Sequence, residues 1–356
     1  MNERRPATVI WEITNACDLR CLHCESAAGL REPDELSTGE ALELCDALAD
    51  LGCERTNLSG GEPLLRADWP LLAKRLAGRG VTVHLVTNGT HLSPDAVRQA
   101  RDAGVVGIAV SLDGLRETHD RIRLPAAAGA GSPFERAVAA IRTSVGAPMK
   151  TGVITHINRW NLPELDALYA LLAGIGPDVW QVQLAMPAGR LRKIAEAYLI
   201  RPDQLEEVYA CLLRCLEDGR VPLRVTDNIG YYTELEPAVR GRWDEGASFW
   251  RGCQAGCSVL GIESNGNVKG CPSMSREFVA GNVRKETLSA IWADEARFAY
   301  NTRWDGSKLT GFCAGCAYRR LCRAGCTSLA FSVTGAIYEN PYCLHRVRIL
   351  REGGKR

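Results

Sequence analysis

The sequence lacks an excess of charge of either sign, because 43 lysine and arginine residues stand against 42 aspartate and glutamate residues. It therefore has no basic footprint for nucleic acid or an anionic membrane surface. No apolar run approaches the roughly 20 residues of a membrane span, and no apolar signal core follows the charged N-terminus MNERRPATVI. These absences predict a soluble, cytoplasmic protein whose partners include neither nucleic acid nor a membrane.

Cysteine, by contrast, is abundant, with 15 residues in a chain of 356. Thiols stay reduced in the cytoplasm, so this number favours metal sites over disulfides. Three cysteines lie at 17–24 and eight lie at 253–343. The other four are predicted to be core residues, because buried cysteine behaves as a small hydrophobe; they are Cys45, Cys53, Cys211 and Cys215. Metal ligation by the last two, spaced i, i+4, is the alternative.

From residue 8 to about 225 the sequence alternates short β-rich runs with longer helical segments. Six strands are predicted, at 8–14, 55–60, 81–89, 107–114, 150–158 and 179–187. Several helical segments open with Ser, Thr or Asp and close with Gly, as capped helices do. Repeated βα units predict a parallel sheet with helices outside. Six units are too few for an eight-stranded barrel, so the predicted α/β fold is a partial (β/α)6 TIM-like barrel.

After about residue 245 the periodicity fades, and Gly, Cys and turn residues become frequent. This change predicts a second, smaller cysteine-rich domain held together by metal rather than by a large apolar core. The predicted divisions are a barrel at 1–225, a bridging region at 226–249, the cysteine-rich domain at 250–347 and a tail at 348–356. The segment AAAGAGS at 126–132 is predicted to be a flexible surface loop.

The three early cysteines follow the first predicted strand at C-x3-C-x2-C spacing: Cys17, Cys21 and Cys24. The loop lies at the carboxyl end of a strand, where barrel folds carry their chemistry. Three thiolates on a four-iron cluster leave one iron open for a substrate or cosubstrate. A structural zinc site completed by His23 or a distant residue is the alternative, and the spacing alone leaves both open.

The next three strands end in small polar groups at the same edge of the sheet. Gly60, Gly61 and Glu62 follow the second strand, Thr87 and Asn88 end the third, and Ser111 and Asp113 end the fourth. Paired glycines let a ligand approach the backbone closely, and a carboxylate accepts hydrogen bonds from an ammonium group. Each ending is a weak signal, but together behind a three-cysteine loop they indicate one shared site.

With these motifs in this order, the chain resembles the radical S-adenosylmethionine (SAM) enzymes over roughly residues 7–190. The resemblance implies that Cys17, Cys21 and Cys24 bind a [4Fe–4S] cluster whose fourth iron is chelated by SAM. It implies these SAM contacts: Gly60, Gly61 and Glu62 at the amino group, Ser111 and Asp113 at the ribose, Thr87 and Asn88 in the same site, and Val153 beside the adenine. The family usually has an aromatic residue before the third cysteine, where this chain has His23.

The resemblance also implies a mechanism. An electron from the reduced cluster cleaves a C–S bond of SAM and gives a 5′-deoxyadenosyl radical, which abstracts hydrogen from an unactivated carbon. The protein supplies orientation and excludes solvent. A flavodoxin- or ferredoxin-type protein is the implied electron donor, and no catalytic acid or base is assigned.

Eight later cysteines provide two complete sets of four ligands. By spacing alone, two structural zinc sites in a ribbon-like domain are an alternative. Attached to such a core, however, the segment at about 250–345 resembles a SPASM domain, which carries two auxiliary [4Fe–4S] clusters. The resemblance implies a first set of Cys253, Cys257, Cys271 and Cys326 and a second set of Cys313, Cys316, Cys322 and Cys343. Three [4Fe–4S] clusters are therefore expected, and the auxiliary two are expected to accept an electron from the substrate.

SPASM proteins mostly modify ribosomally made peptides, so the predicted function is cross-linking or oxidation of such a peptide. A small molecule, such as an aminocyclitol or a porphyrin, is the alternative substrate. Pro272 follows Cys271 where the sulfatase-maturing branch has Asp, which counts against that activity. Only 16 residues precede Cys17, too few for a leader-binding domain, so a separate recognition protein is expected for a leader-bearing peptide. A non-enzymatic multi-cluster electron carrier or zinc-binding interaction protein is the third hypothesis.

Overall fold

The structure, a computed structural model, describes residues 4–127, 129, 131–226, 228–240 and 249–353. Several sequence predictions fall partly on other residues. These are the loop at 126–132, the bridging region at 226–249 and the tail at 348–356, and parts of each lie outside the described residues.

The described residues contain ten strands. They are β1 (Thr8–Glu12), β2 (Arg55–Ser59), β3 (Thr82–Thr87), β4 (Val105–Ser111), β5 (Lys150–Ile157), β6 (Val179–Leu184), β7 (Leu223–Val225), β8 (Val259–Ile262), β9 (Asn267–Lys269) and β10 (Gly281–Asn282). All belong to one sheet, in the order β10-β9-β8-β1-β2-β3-β4-β5-β6-β7.

The helices of the described residues lie mainly between the parallel strands. They are α1 (Thr38–Asp50), α2 (Trp69–Gly78), α3 (Pro94–Asp102), α4 (Arg116–Ile122), α5 (Pro133–Val145), α6 (Leu165–Ile175), α7 (Ala195–Tyr198), α8 (Leu205–Asp218), α9 (Glu236–Arg240), α10 (Leu288–Ala293), α11 (Ala299–Thr302), α12 (Gly311–Gly315), α13 (Arg319–Cys322), α14 (Thr327–Thr334) and α15 (Leu344–Gly353). None of these helices is long and apolar enough to cross a membrane.

The predicted helix caps are present. Ser37 and Glu40 form a capping box at the start of α1, and Ser93 caps α3 through the backbone N–H of Ala96. At the other end, α6 closes on Gly176, whose φ of +82° is readily adopted only by glycine. The caps at Ser37 and Ser93 fix where the helices begin and so bound the loops at the carboxyl ends of the preceding strands.

The predicted partial barrel is confirmed. Strands β1 to β6 lie side by side in chain order and are all parallel. The short strand β7, which was not predicted, extends the sheet by pairing in parallel with β6. A parallel order with helical crossovers brings the carboxyl ends of the six predicted strands to one edge.

The cysteine-rich region shares the sheet of the barrel. Strand β8 pairs in parallel with β1, with Thr8 opposite Val259 and Trp11 opposite Ile262. An open barrel leaves the backbone groups of β1 unpaired on one side, and β8 satisfies them. Leu260 of β8 and Val268 of β9 are fully buried in the same apolar core as the barrel. Apolar packing therefore contributes to the stability of this region, in addition to any bound metal. The predicted domain boundaries stay a prediction.

The strands of the barrel alternate between two faces, as the period of two requires. One face is buried beneath the helices and includes Val9, Trp11, Leu58, Val83, Val110, Val153 and Val182. The opposite face borders the lumen and is only partly buried, as the alternating pattern of β1, β2 and β5 records. Polar side chains near the carboxyl ends of the strands therefore point into the lumen.

The four cysteines outside the two groups are buried, as predicted: Cys45, Cys53, Cys211 and Cys215. The Sγ atoms of Cys211 and Cys215 lie 4.0 Å apart on α8. Both side chains pack among the apolar residues of the main core, which agrees with the role of small hydrophobes.

Candidate active site

A cavity of about 220 Å³ opens at the carboxyl ends of the strands. Its lining unites the three cysteines of the early loop with five of the predicted SAM contacts: Cys17, Cys21, Cys24, Gly60, Gly61, Thr87, Asn88 and Ser111. The topology of the sheet thus brings side chains from four separate strand ends to one place.

The other three predicted SAM contacts are Glu62, Asp113 and Val153, and each is fully buried behind the cavity wall. None of the three is part of the cavity lining. Val153 lies on the helix-facing side of β5, among the apolar core residues. A direct contact of these side chains with SAM stays a prediction, whereas their contacts within the protein are defined.

The carboxylate of Glu62 is engaged by protein donors on both oxygens. Thr87 Oγ1 donates to Oε1 at 2.8 Å, and the backbone N–H of Asn88 donates to Oε2 at 2.8 Å. The backbone N–H of Leu64 donates to Oε1 at 3.2 Å. Burial raises the pKa of Glu62 to about 7, and these hydrogen bonds oppose that shift. Glu62 therefore ties the turn after β2 to the end of β3.

The two glycines before Glu62 let this turn lie against the cysteine loop. The backbone N–H of Gly61 donates to the carbonyl of Thr14 at 2.7 Å, and that of Glu62 donates to the carbonyl of Ala16 at 2.7 Å. Gly60 has a φ of +145°. A Cβ atom at Gly61 would overlap the carbonyl oxygen of Ala16. Only glycine permits this contact, which fixes the loop that begins with Cys17.

A buried ion pair lies at the cavity wall, which Arg123 lines and Asp113 does not. Arg123 Nε is 2.6 Å from Asp113 Oδ2, with exposed side-chain fractions of 9% and 0%. Asp113 Oδ1 accepts from the backbone N–H of His156 at 2.8 Å. Burial alone would raise the pKa of Asp113, but the guanidinium of Arg123 outweighs it and holds that pKa well below its usual range. Both charges are therefore kept, and each depends on the other.

The same guanidinium reaches the cysteine loop. Arg123 Nη1 is 3.9 Å from Cys21 Sγ, and Nη2 is 3.4 Å from His23 Nε2. The ring of His23 lies between His156, at a centroid distance of 4.6 Å, and Tyr198 at 6.3 Å. Burial holds the pKa of His23 well below its usual range, so the ring is neutral. His23 thus packs as a flat, uncharged ring.

The thiol spacing discriminates between zinc and a larger cluster. Ligands about 2.3 Å from one zinc ion lie roughly 4 Å from each other. In the described part of the chain, the one set of three potential ligands within 4.8 Å of one another is Asp166, Cys211 and Cys215. Among the described residues, no three cysteines of the early loop or of the cysteine-rich region meet this limit, and a cluster in which each thiolate binds a different iron does not need them to.

A second cavity lies in the cysteine-rich region and unites the four members of the second predicted set: Cys313, Cys316, Cys322 and Cys343. Its other walls are largely aromatic and include Tyr231, Tyr232, Phe312 and Tyr318. Four thiols within an apolar wall provide the donor set and the exclusion of solvent that an iron–sulfur cluster needs. The residues present therefore fit an auxiliary cluster.

The first predicted set lies beside the main cavity. Burial raises the pKa of Tyr300, and the nearby thiols of Cys253, Cys271 and Cys257 add to this effect. Pro272 and Ser273, which follow Cys271, line the main cavity. The fourth member, Cys326, donates its backbone N–H to Tyr231 Oη at 2.7 Å. Its membership of this set stays a prediction.

An aromatic cluster connects the two sets. Tyr231, Tyr232 and Trp250 pack with Cys322 of the second set, and Cys253 of the first set packs against the same group. The rings of Tyr231 and Trp250 have centroids 5.7 Å apart. The order from the main cavity outward is therefore the first set, the aromatic cluster and the second set.

Sequence reasoning missed several residues of the main cavity: Glu12, Arg123, His156, Gln183 and Arg190. The alternation of β5 contained a usable signal, because it places Val153 on the helix side and His156 on the lumen side. The same rule places Glu12 and Gln183 on the lumen side of β1 and β6. No such signal existed for the arginines, which lie outside strands.

The charged side chains that line the cavity differ in whether they already have partners within the protein. Arg123 is paired with Asp113, and Arg190 donates to the carbonyls of Cys21 and Ala28 at 2.9 and 2.8 Å. Both cations therefore have protein partners.

The carboxylates are less engaged. Glu12 accepts from the hydroxyl of Ser26, and burial raises the pKa of Glu12 to about 6. Glu25 has no hydrogen-bond or ion-pair partner within the described residues. The charge that remains available to a ligand is therefore negative.

Comparison with known proteins gives two family matches. The radical SAM superfamily matches residues 11–172, and the SPASM family, described as an iron–sulfur cluster-binding domain, matches residues 253–317. The first match covers the strands and loops of the main cavity. The second covers five of the eight cysteines of the cysteine-rich region.

Similar proteins cover nearly the whole chain. The AdoMet-dependent heme synthase of Methanosarcina barkeri is 31% identical over 351 residues, or 96% of this chain and 97% of that protein. The mycofactocin maturase MftC of Mycobacterium tuberculosis is 29% identical over 342 residues, or 94% and 82%. The structure of Streptococcus suis SuiB bound to S-adenosylmethionine has a TM-score of 0.73 at 16% identity, and covers 95% of this chain and 76% of SuiB. This last likeness shows the fold.

The close contact at Gly61 gives a first prediction. Gly61→Ala forces the backbone of Ala16 to move, so we expect a loss of about 1–3 kcal/mol of stability, as for other overpacked sites. Thermal denaturation of the anaerobically purified protein measures it. The control is Gly174→Ala on α6, where a Cβ meets no atom within 4 Å and stability should hold or rise slightly. Equal Tm values for both variants would contradict the steric explanation.

The buried ion pair gives a second prediction. Arg123→Gln leaves the Asp113 carboxylate buried without its cation, which should cost about 3–5 kcal/mol at neutral pH and lower the Tm. The control is Arg121→Gln, because Arg121 is exposed over the ring of Trp160 at 3.6 Å and should contribute less than about 1 kcal/mol.

The pH dependence has a defined sign. The pKa of Asp113 is depressed in the folded state, so the stabilisation is present above about pH 4, the pKa range of a free aspartate, and is lost as the pH falls further. The Tm difference between the wild type and Arg123→Gln should therefore shrink below pH 4. A difference that is absent at pH 7 would show that the pair is not needed.

Proposed function

The chain belongs to the radical SAM superfamily and carries a SPASM domain, and we propose that it is an oxidoreductase that cross-links or oxidises a ribosomally made peptide. Members of this superfamily are enzymes, and the relatives bear the names of a synthase and a maturase. The hypothesis of a non-enzymatic electron carrier is therefore not retained. The cofactors of the protein are SAM and iron–sulfur clusters.

Three [4Fe–4S] clusters are part of the proposal. Cys17, Cys21 and Cys24 would hold the cluster that binds SAM, and the two later sets would hold two auxiliary clusters. When bound, this cluster and SAM would supply the radical chemistry that removes hydrogen from the substrate. The main support is the arrangement of thiols, which lie at the cavity and in the cysteine-rich region without the compact spacing of a zinc site.

The residues of the chain perform the supporting tasks. Gly60 and Gly61 would present the backbone of the turn after β2 to SAM at the cavity wall, and Ser111 provides a hydroxyl there. The guanidinium of Arg123 lies beside Cys21 and would balance part of the negative charge of a cluster thiolate. The neutral ring of His23 closes the space behind the loop, which keeps water from the reacting atoms.

We propose that the substrate electron returns to the auxiliary clusters. Pro272 and Ser273 line the cavity directly after Cys271, which supports electron acceptance by the first set. Cysteine fills all eight ligand positions, so neither auxiliary cluster would have an open iron. This supports a role in electron transfer rather than direct binding of the substrate to iron.

One observation carries the choice of a peptide. The cations of the cavity are engaged by the protein, whereas the carboxylates of Glu12 and Glu25 remain available. An amide-rich substrate can donate hydrogen bonds to these oxygens. A substrate with several carboxylates would meet like charge without a free cation, which disfavours binding. The name of the relative MftC, a maturase, is consistent with this choice.

A porphyrin is the second candidate, and a specific observation favours it. The relative named AdoMet-dependent heme synthase is 31% identical over 96% of this chain. Porphyrins of heme synthesis carry carboxylate side chains, so the acidic cavity is the feature that separates the two candidates.

Two protein partners belong to the proposal. A flavodoxin- or ferredoxin-type protein would donate the electron that reduces the cluster at the SAM site. For a peptide with a leader, a separate recognition protein would deliver the substrate.

The cluster assignment predicts on the order of 12 iron and 12 sulfide per chain after anaerobic purification. Cys21→Ala should lose about a third of the iron and abolish cleavage of SAM to 5′-deoxyadenosine. Cys322→Ala should lose a similar share of the iron. It should retain some cleavage of SAM but form no modified substrate. Cys45→Ala, at a buried core position, is the control and should keep all of the iron. Zinc without sulfide in the wild type would refute the assignment.

The choice of substrate predicts what the protein binds. After anaerobic purification from the native host, mass spectrometry should detect a bound peptide. In titrations followed by the Soret band, coproporphyrin III, a tetracarboxylate, should bind weakly to the wild type and more tightly to Glu12→Gln/Glu25→Gln, because the repelling charges are removed. Tight binding of the porphyrin to the wild type, with no bound peptide, would reverse the ranking.

A further inference from the structure

The segment that covers the second set of cysteines is unusually exposed. Seven of the eight residues between Cys313 and Cys322 are exposed, and Cys316 is the exception. This segment contains Cys316 and ends at Cys322, two of the four thiols of the second cavity. Any group bound to these thiols would therefore lie close to the surface of the protein.

The surface around this segment is basic, although the whole chain is balanced. Residues 303–323 contain five arginine and lysine residues and one acidic residue, Asp305. Four of the cations are exposed and have no ion-pair partner within the described residues: Arg303, Lys308, Arg319 and Arg320. Some other surface arginines are paired, as Arg75 and Arg79 are with Asp46. Because Lys308 and Arg303 still interact with the nearby carboxylates of Asp305 and Asp294, the free positive charge of this surface lies mainly on Arg319 and Arg320.

Apolar groups lie among these cations. Leu321 is 57% exposed and Tyr318 is 38% exposed. Trp304 lines an open surface cleft together with Arg319 and Arg320. Exposed aromatic and arginine side chains are the types most enriched at protein interfaces. A carboxylate that enters the cleft would meet two guanidinium groups beside an indole ring.

We propose that this surface, formed by Trp304, Lys308, Tyr318, Arg319, Arg320 and Leu321 and here called the basic face, binds an acidic one-electron carrier protein. The proposal rests on the proposed function, because it needs a redox group at the second set of cysteines. Free positive charge attracts an acidic partner and speeds its association. The exposed Leu321 and Tyr318 provide the apolar contact that holds the partner after encounter.

The position of the basic face favours an electron carrier over other anionic partners. Two cysteines of the second set, Cys316 and Cys322, belong to the same short segment as the two arginines. A nucleic acid or an anionic membrane would gain nothing from this proximity. An electron carrier that binds here has a short path to the second set, and through the aromatic cluster to the first set.

The test uses flavodoxin, a small acidic flavoprotein, and the anaerobically purified holoenzyme. The variant Arg319→Glu/Arg320→Glu reverses two exposed charges and changes no cysteine. The control Lys74→Glu/Lys285→Glu makes the same change of charge at two exposed lysines outside residues 303–323 that have no ion pair among the described residues. Affinity is measured by calorimetry at low and moderate salt.

We expect the wild type and the control variant to bind flavodoxin alike, and more weakly as salt increases. The basic-face variant should bind at least about tenfold more weakly, a loss typical of reversed interface charges. Equal affinity of the basic-face variant and the wild type would overturn the proposal. So would a loss in the control variant as large as that in the basic-face variant, because net charge alone would then explain it.

A second measurement separates binding from redox function. In stopped-flow experiments, flavodoxin should exchange electrons with the basic-face variant at least about tenfold more slowly than with the wild type. Dithionite, a small reductant, should reduce both proteins at similar rates. Equal rates of electron exchange of flavodoxin with the variant and with the wild type would overturn the proposal.

Two further outcomes are distinguishable. A wild type without iron and sulfide would refute the proposed function, whereas calorimetry would still report whether the basic face binds flavodoxin. Titrations with a short RNA and with vesicles of phosphatidylserine test other anionic partners. If the basic-face variant lost affinity for one of these but not for flavodoxin, the proposal would be wrong.

Discussion

The parallel pairing of β1 with β8 is the constraint on which the site depends. It joins the strand before the early cysteine loop to the first strand of the β8–β9 hairpin that leads to Cys271. Gly261 of β8 lies directly against the backbone of Cys271 and Pro272, and Pro272 reaches the main cavity. Two cysteine groups that are more than 200 residues apart in the sequence are thus held around one cavity by backbone hydrogen bonds within a single sheet.

Within this frame, backbone contacts rather than side chains hold the cysteine loop in place. The turn after β2 donates two N–H groups to carbonyls of the loop, and Gly61 removes the side chain that would prevent this. Glu62 and the ion pair of Arg123 with Asp113 then connect the loop to β3, β4 and β5. Buried charge is costly unless it is paired, so its presence here indicates that the position of the loop is closely specified.

Much of this arrangement could be predicted from the sequence. The six strands, the partial barrel and the meeting of Cys17, Gly60 and Ser111 at one edge follow from βα periodicity, because parallel order determines which strand ends are neighbours. The sequence did not indicate the pairing of β8 with β1, since β8 has four residues and its partner is about 250 residues away. Short strands carry little local signal, and the partner that stabilises them is non-local.

The predictions of individual site residues were also more successful where local backbone geometry decides the position of the residue. Positions where backbone geometry decides, such as Gly60 and Gly61, lie at the cavity as expected. A motif alone does not say which residues of a strand point towards the cavity. On β5, Val153 lies in the core, whereas His156 lies at the cavity. Glu62 is a third kind of position. Its carboxylate oxygens accept hydrogen bonds from the Asn88 N–H and the Thr87 hydroxyl, and no sequence motif specifies these donors.

The pairing of β1 with β8 also has a consequence for how the chain is made. During synthesis β1 emerges first, but its second neighbour, β8, follows only after about 250 further residues. Until then, one side of β1 presents unpaired backbone groups, and such an edge is a template for aggregation. Chains that end before residue 259 would retain this exposed edge permanently. The later part of the chain therefore protects the earlier part from self-association, apart from anything it contributes to chemistry.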